Sequence, residues 1–267
     1  MTSITTNFGI VHYEVVGRGQ PILLLHGWLG SWGLWMETMN YLSKYYRTYA
    51  LDFWGFGESG KKLSYYSIDT YVEMIKQFMD RLGIPPCPLI GHSMGGTVSL
   101  SVAIRYPHRA SKVVVIGSPI VGSSLAAMLK MAGYRPIAYL VYHMMGLLKL
   151  GIRIFAPMIT KDKNWVKMID QDLSRTTLES FLMSIASLRN TDLRPYLNRL
   201  SLPVMGMYGE RDVIVHPKQW RVLLDGVPHA KIQRFPEAGH FIMLDEPDKF
   251  LQTLRSFLDG EQTNLLV

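Results

Sequence analysis

The chain has 267 residues, 48% of them apolar, with a single cysteine and a formal net charge of +7 at neutral pH. That length can bury a substantial core in one large domain, and a lone Cys87 excludes an internal disulfide framework and fits a reducing compartment. The charge is unevenly spread: eleven Lys or Arg against five Asp or Glu fall between Pro119 and Leu200, and no nucleic-acid module accompanies the excess.

The opening "MTSITTNFGIVHYEV" has neither the basic n-region nor the apolar h-region of a signal peptide, so a cytoplasmic protein is expected. "GIVHYEVVG" alternates like an antiparallel strand. "PILLLHG", Pro21 to Gly27, is a continuous apolar run of the kind buried on both faces of a sheet. A helical pattern over "LWMETMNYLSKY" and a strand over "YRTYALD" follow. The next stretch, "LDFWGFGESG", spaces Gly55, Gly57 and Gly60 as G-x-G-x-x-G, the dinucleotide-binding fingerprint. That fingerprint needs a helix N-terminus directly after it to meet the pyrophosphate. Here a helix begins only near Ile68 or Asp69, so the stretch reads as a glycine-rich turn and no cofactor is expected.

A helix around Tyr71 to Leu82, the strand "CPLIGHS", a helix from Met94 to Arg105 and a strand from Lys112 to Ser118 come next. Pro88 suggests that the hydrogen-bonded part of its strand starts late. Alternation at this spacing predicts a mostly parallel sheet covered by helices on both faces. Between Pro119 and Asn198 helical apolar spacing runs with few strand signals. The alternation resumes with "LPVMGMYGERD", a helix near Lys218 to Leu224, "AKIQRFPEAGH" and a helix from Pro247 to Leu258. The expected organisation is an α/β core over residues 1–118 and 200–267, interrupted by a helical cap over 119–199. The tail "GEQTNLLV" is expected to fray.

"GHSMG", Gly91 to Gly95, matches G-x-S-x-G where a short apolar strand turns into a helix, which is the context that motif requires. The turn is so sharp that side chains at Gly91 or Gly95 would strike neighbouring elements, and Ser93 is expected to stand exposed above the carboxyl edge of the sheet. The Met94 N–H at the helix start can hold a developing oxyanion, and the Trp28 N–H in "HGWLG" is the candidate second donor. A nucleophilic serine needs a base, and the base needs an acid to fix its tautomer. Downstream, "YGERD" and "PEAGH" supply Asp212 and His240 in the order Ser, Asp, His. Glu210 lies two residues from Asp212, and the alternative acid position after the preceding core strand, "IGSPI", holds no carboxylate. His26 and His92 are expected to pack or hydrogen-bond beside the motifs. His12, His108, His143, His216 and His229 have no paired acid in pattern, and Trp28, Trp32 and Trp54 read as walls of the site.

With "HGW", "DFWGFGES", "GHSMGG", "YPHR", "GERD" and "GHF" in this order and spacing, the chain resembles the α/β-hydrolase superfamily along essentially its whole length. The resemblance implies an α/β-hydrolase fold with a mostly parallel eight-stranded sheet flanked by helices and a helical cap. "DFWGFGES" then matches the family's D-x-x-G-x-G-x-S turn, a structural loop near the site. Serine at position 93 sets aside the dehalogenases and epoxide hydrolases of this fold, which use aspartate there. What remains is ester or thioester hydrolysis, carbon–carbon bond hydrolysis and cofactor-free perhydrolase chemistry, or a receptor-like binder of an apolar ligand. Carboxylic ester hydrolysis through an acyl-enzyme is favoured, with Ser93 as nucleophile, His240 as base and then acid, Asp212 orienting it, and Trp28 and Met94 holding the oxyanion. No metal or cofactor is called for.

From Ile120 to Thr160 there is no acidic residue, while Lys130, Arg135, Lys149 and Arg153 punctuate Met-rich apolar sequence such as "PIAYLVYHMMGLL". The run is too short for a bilayer span of roughly 20 residues. It suits a lid over a greasy pocket or a helix lying at a lipid interface. The expected partner is therefore a small lipophilic ester, of acyl or isoprenoid type, with the cap contacting an anionic membrane and no nucleic acid involved.

Overall fold

A computed structural model describes residues 2–62 and 65–260. Residues 261–267, most of the expected frayed tail, lie outside them. In chain order the elements are β1 (Thr2–Thr6), β2 (Gly9–Val16), β3 (Pro21–Leu25), α1 (Met36–Leu42), β4 (Arg47–Leu51), α2 (Ile68–Leu82), β5 (Cys87–His92), α3 (Met94–Arg105) and β6 (Ala110–Ile116). Five helices follow: α4 (Ala127–Ala132), α5 (Arg135–His143), α6 (Met145–Ile159), α7 (Trp165–Ser174) and α8 (Leu178–Arg189). The chain then returns through β7 (Val204–Gly209), α9 (Gln219–Gly226), β8 (Lys231–Phe235), α10 (Ile242–Asp245) and α11 (Pro247–Asp259).

The eight strands form one sheet in the order β1-β2-β4-β3-β5-β6-β7-β8. β1 pairs antiparallel with β2 and β2 antiparallel with β4; every other pairing is parallel. Because strand side chains alternate between faces, the sheet divides its own apolar residues between two cores. Leu23, Leu25, Leu89, Val113 and Val115 pack toward α2 and α3, while Ile22, Leu24, Ile90, Val114 and Ile116 pack toward α1 and α11. These ten side chains have no solvent exposure, which explains why β3, β5 and β6 read as continuous apolar runs rather than alternating ones.

Two local features differ from the sequence expectation, and a third, at Pro88, follows it. β1 carries mostly Ser and Thr with alternating exposure, so "TSITT" lacks the apolar signal of a strand and owes its state to pairing with β2. The strand expected over Lys112 to Ser118 runs two residues earlier at both ends, since Gly117 turns left-handed (φ 54°) and stops it. Pro88 leaves its strand beginning at Cys87, but the pairing with β6 slips between Cys87 and Pro88, and the pairing with β3 starts only at Leu89.

The G-x-G-x-x-G stretch is an internally bonded turn. Both Asp52 carboxylate oxygens accept backbone N–H groups, from Trp32 (2.7 Å) and Glu58 (2.8 Å), and the Ser59 hydroxyl donates to the Asp52 carbonyl (2.6 Å). α2 starts well after it, capped by the Ser67 hydroxyl, which accepts from the Thr70 N–H. The glycine loop thus faces its own aspartate instead of a helix end.

Candidate active site

β5 delivers Ser93 to the carboxyl edge of the sheet, where the chain reverses into α3. Ser93 sits at φ 51° and ψ −118°, a conformation that costs about 1–3 kcal/mol for a residue with a side chain. The surroundings leave it no other choice. Its N–H donates to the Ile116 carbonyl (2.8 Å), and its own carbonyl accepts from the Gly96 and Thr97 N–H groups. A Cβ on Gly91 would collide with the Gly95 carbonyl, and one on Gly95 with the Leu25 carbonyl. Strand, helix and neighbouring strand approach so closely that only glycine fits at those two places.

Ser93 is only 6% exposed, which corrects the expectation that it stands open above the sheet. It faces a cavity of about 440 Å³ that also reaches His240 and Trp28 and is roofed by side chains of α4 to α8, among them Met128, Ile152, Trp165 and Ile185. One isolated antiparallel bridge, Leu125 with Val215, ties the roof to the core, and another, Val121 with Asp192, joins the two ends of the insertion.

Two loops at the same sheet edge complete the floor. After β7, Asp212 points one carboxylate oxygen at the N–H groups of Ile214 (2.8 Å) and Val215 (2.9 Å) and the other at His240 Nδ1 (2.7 Å). Both residues are buried, Asp212 at 7% and His240 at 4% exposure. A carboxylate accepting from Nδ1–H leaves Nε2 as the free, basic nitrogen of the ring. Glu210 is not in this arrangement, since it pairs at the surface with Arg234 (2.6 Å). The residue after β6, where an acid could otherwise stand, is Gly117, whose Cβ position lies 3.4 Å from Asp212 Oδ2.

After β3 the chain at Gly27 packs close to the nucleophile, where a Cβ would lie 3.1 Å from Ser93 Cβ, and the next residue, Trp28, lines the same cavity. Met94 opens α3, where backbone N–H groups have no intrahelical acceptor. The sequence-derived set of Ser93, Asp212, His240, Trp28 and Met94 is therefore brought to one end of the sheet. Of the three tryptophans expected as walls, only Trp28 lines the cavity. Trp54 is fully buried with its ring edge-on to Phe8, and Trp32 is not among the lining residues.

The neighbouring histidines hold loops. His26 Nδ1 donates to the Gly27 carbonyl (2.7 Å) and Nε2 accepts the Phe53 N–H (2.9 Å), a pattern that requires the neutral ring. Burial accordingly lowers its pKa. His92 Nε2 meets the His240 carbonyl (3.0 Å), and burial, with His240 next in effect, holds its pKa well below the ordinary value. The buried Cys87 thiol is pushed up to about 12 by desolvation and is inert.

Three contributors carry no motif. Phe181 of α8 packs its ring at a tilt against Trp28 (ring centroids 4.7 Å apart), and its carbonyl accepts the Trp28 indole N–H (3.2 Å). The Ile159 carbonyl, at the end of α6, accepts the His240 N–H (3.1 Å). Asp172 of α7 is the one carboxylic acid among the described cavity-lining residues. Burial, partly offset by a hydrogen bond with Ser31, raises its pKa to about 7.

This architecture, a mostly parallel eight-stranded sheet with a strained serine turn at its carboxyl edge, is the α/β-hydrolase fold. The family described as alpha/beta hydrolase fold matches residues 20–138 of the chain. Among solved structures, an esterase from Exiguobacterium antarcticum superposes with a TM-score of 0.82 at 22% identity, covering 97% of this chain and 99% of that one. The chain is also similar to pimeloyl-[acyl-carrier protein] methyl ester esterase of Aliivibrio fischeri, 25% identical over 263 residues, spanning 93% of this chain and 97% of the relative. A third relative, 3-oxoadipate enol-lactonase 2 of Acinetobacter baylyi, is 25% identical over 257 residues, covering 93% and 92%.

Proposed function

We propose that the chain is a serine-dependent carboxylic ester hydrolase acting on lipophilic esters. The observation that carries the reading is the buried Asp212–His240 hydrogen bond beside Ser93, at the floor of a cavity whose lining is overwhelmingly apolar. In the proposed reaction Ser93 Oγ adds to the ester carbonyl carbon as its proton passes to His240 Nε2. The tetrahedral oxyanion is held by the Trp28 and Met94 N–H groups. Collapse expels the alcohol, which takes the proton from His240 and leaves an acyl-serine. Water, deprotonated by the same imidazole, then releases the acid and restores Ser93. Asp212 keeps Nδ1 protonated and stabilises the imidazolium in both halves.

Similarity to the methyl ester esterase and the enol-lactonase supports ester chemistry. The lipophilic preference rests on the roof, where Leu129, Ile137, Ile152 and Ile159 face the cavity and Asp172 is the lone acid. Hydrolysis of p-nitrophenyl esters from acetate to palmitate, beside the Ser93→Ala protein, tests both parts. Turnover that rises with chain length and vanishes in the variant is expected. Turnover equal in the variant would overturn the nucleophile, and a preference for acetate would overturn the apolar acyl pocket.

A further inference from the structure

Ten of the eighteen exposed large apolar side chains described lie between Met128 and Met158. The other eight are scattered, as single exposed apolar residues commonly are, whereas eight of these ten lie on three consecutive helices and the remaining two, Tyr134 and Met144, at the junctions between them. On α6 the exposed residues are Leu150 (52%), Ile154 (63%), Phe155 (52%) and Met158 (58%). At 100° per residue these four share one face of the helix. Tyr139 and Leu140 of α5, and Met128 and Met131 of α4, extend the apolar surface, each more than half exposed. Nothing in the described fold covers them.

The charge around this face is predominantly positive. No acid occurs from Ile120 to Thr160. Lys149 and Arg153 flank the α6 face and share Asp170 of α7. Just beyond it, Lys161, Lys163 and Lys167 are exposed, and none has a carboxylate partner among the described residues. Met128 and Met131 are both exposed and part of the cavity lining, so the apolar outer face runs into the mouth of the cavity above Ser93. No helix among the described residues is long and apolar enough to cross a membrane.

From these observations we infer that the α4–α6 face docks on an anionic lipid bilayer, its apolar side chains entering the headgroup boundary and its lysines meeting lipid phosphates. An apolar helix face bordered by cations is the combination that binds such interfaces, through buried apolar area and attraction to anionic lipid together. A second copy of the chain would bring one positive rim against another. The docking site stands apart from the proposed ester hydrolysis, because Ser93 contributes nothing to it.

Co-sedimentation of the full chain with vesicles tests the inference. The comparison is between phosphatidylcholine alone and phosphatidylcholine with 30% phosphatidylglycerol, at about 50 mM and 500 mM salt. Binding to the anionic vesicles, weakened at high salt and unchanged in Ser93→Ala, is expected. The double variant Ile154→Asp/Phe155→Asp, altered at two exposed residues that do not line the cavity, should lose at least tenfold in bilayer affinity. It should hydrolyse a soluble short-chain ester at the wild-type rate, which certifies its fold. Wild-type protein remaining in the supernatant with every vesicle would overturn the inference, as would unaltered binding by the double variant. Sedimentation velocity showing a dimer that the double variant abolishes, with no vesicle binding by the wild type, would assign the face to self-association instead.

Discussion

The floor of the cavity and its roof are specified in different ways. At the floor, Ser93 is fixed by hydrogen bonds on both sides of its peptide and by glycines whose replacements would strike backbone. Asp212 and His240 are each held by backbone groups as well as by one another. The roof is built from helices whose inner side chains are apolar and whose outer side chains, on α4 to α6, are largely apolar too. A floor of this kind sets bond-making geometry to a fraction of an ångström; a roof of this kind sets what enters and from where.

The sharpest way to break that division is at the nucleophile. Ser93→Ala is expected to lower kcat on p-nitrophenyl esters by about 10⁶-fold, as in serine proteases where the triad acts as a unit, with little change in thermal melting. Retention of even a tenth of the rate would place the chemistry elsewhere. Next, Asp212→Asn is expected to cost about 10⁴-fold by leaving His240 in the wrong tautomer. Glu210→Gln, two residues away, removes only a surface pair with Arg234 and should change turnover less than twofold. Equal losses in both variants would mean that the β7 loop, and not the Asp212–His240 bond, is what matters.

The roof offers a test of stability rather than rate. The Asp172 carboxyl has an ordinary pKa of 3.8 and is raised to about 7 in the folded protein, chiefly by burial. Below pH 4 it is protonated in both states and costs nothing. Between pH 4 and 7 the folded state binds the extra proton, so stability falls as pH rises, and above 7 the full penalty applies. At 1.36 kcal/mol per unit that penalty is roughly 4 kcal/mol. Asp172→Asn should therefore melt several degrees higher than wild type at pH 8 and at nearly the same temperature at pH 4. A difference independent of pH would show that Asp172 is already ionised in the folded protein.

What the sequence makes legible follows the same divide. The floor can be read because its constraints are short-range: Gly91, Ser93 and Gly95 lie within one turn, Asp212 follows the apolar strand β7, and His240 stands in the short "PEAGH" loop after β8. The α3 boundaries, Met94 to Arg105, emerge directly from that turn. The roof's contributions are tertiary. Asp172, in "MIDQDLS", has the look of a solvent-facing helix residue, and only the packing of α7 turns it inward. Phe181 and the Ile159 carbonyl act on Trp28 and His240 from well over a hundred and about eighty residues away, through backbone groups that no side-chain pattern encodes. β1 was hidden for a related reason, because its pairing partner and not its composition makes it a strand.

Trp28 is where floor and roof meet, and it yields a small but discriminating effect. Its amide belongs to the proposed oxyanion site, while its indole N–H donates to the Phe181 carbonyl of α8. Trp28→Phe keeps the amide and an aromatic ring beside Phe181, and removes that bond together with part of the ring. A single such bond contributes about 1 kcal/mol, so the expected loss is about fivefold at most. The distribution of that loss is the informative part. If the bond serves to hold the roof down over bound substrate, KM for long-chain esters rises while kcat for acetate stays as it was. If it instead aims the amide at the oxyanion, kcat falls by the same factor for every chain length, because the oxyanion is common to them all. The geometry favours the first outcome, since Gly27, next to Trp28 in the chain, already packs close to Ser93 without help from α8, while the indole bond reaches only into the roof.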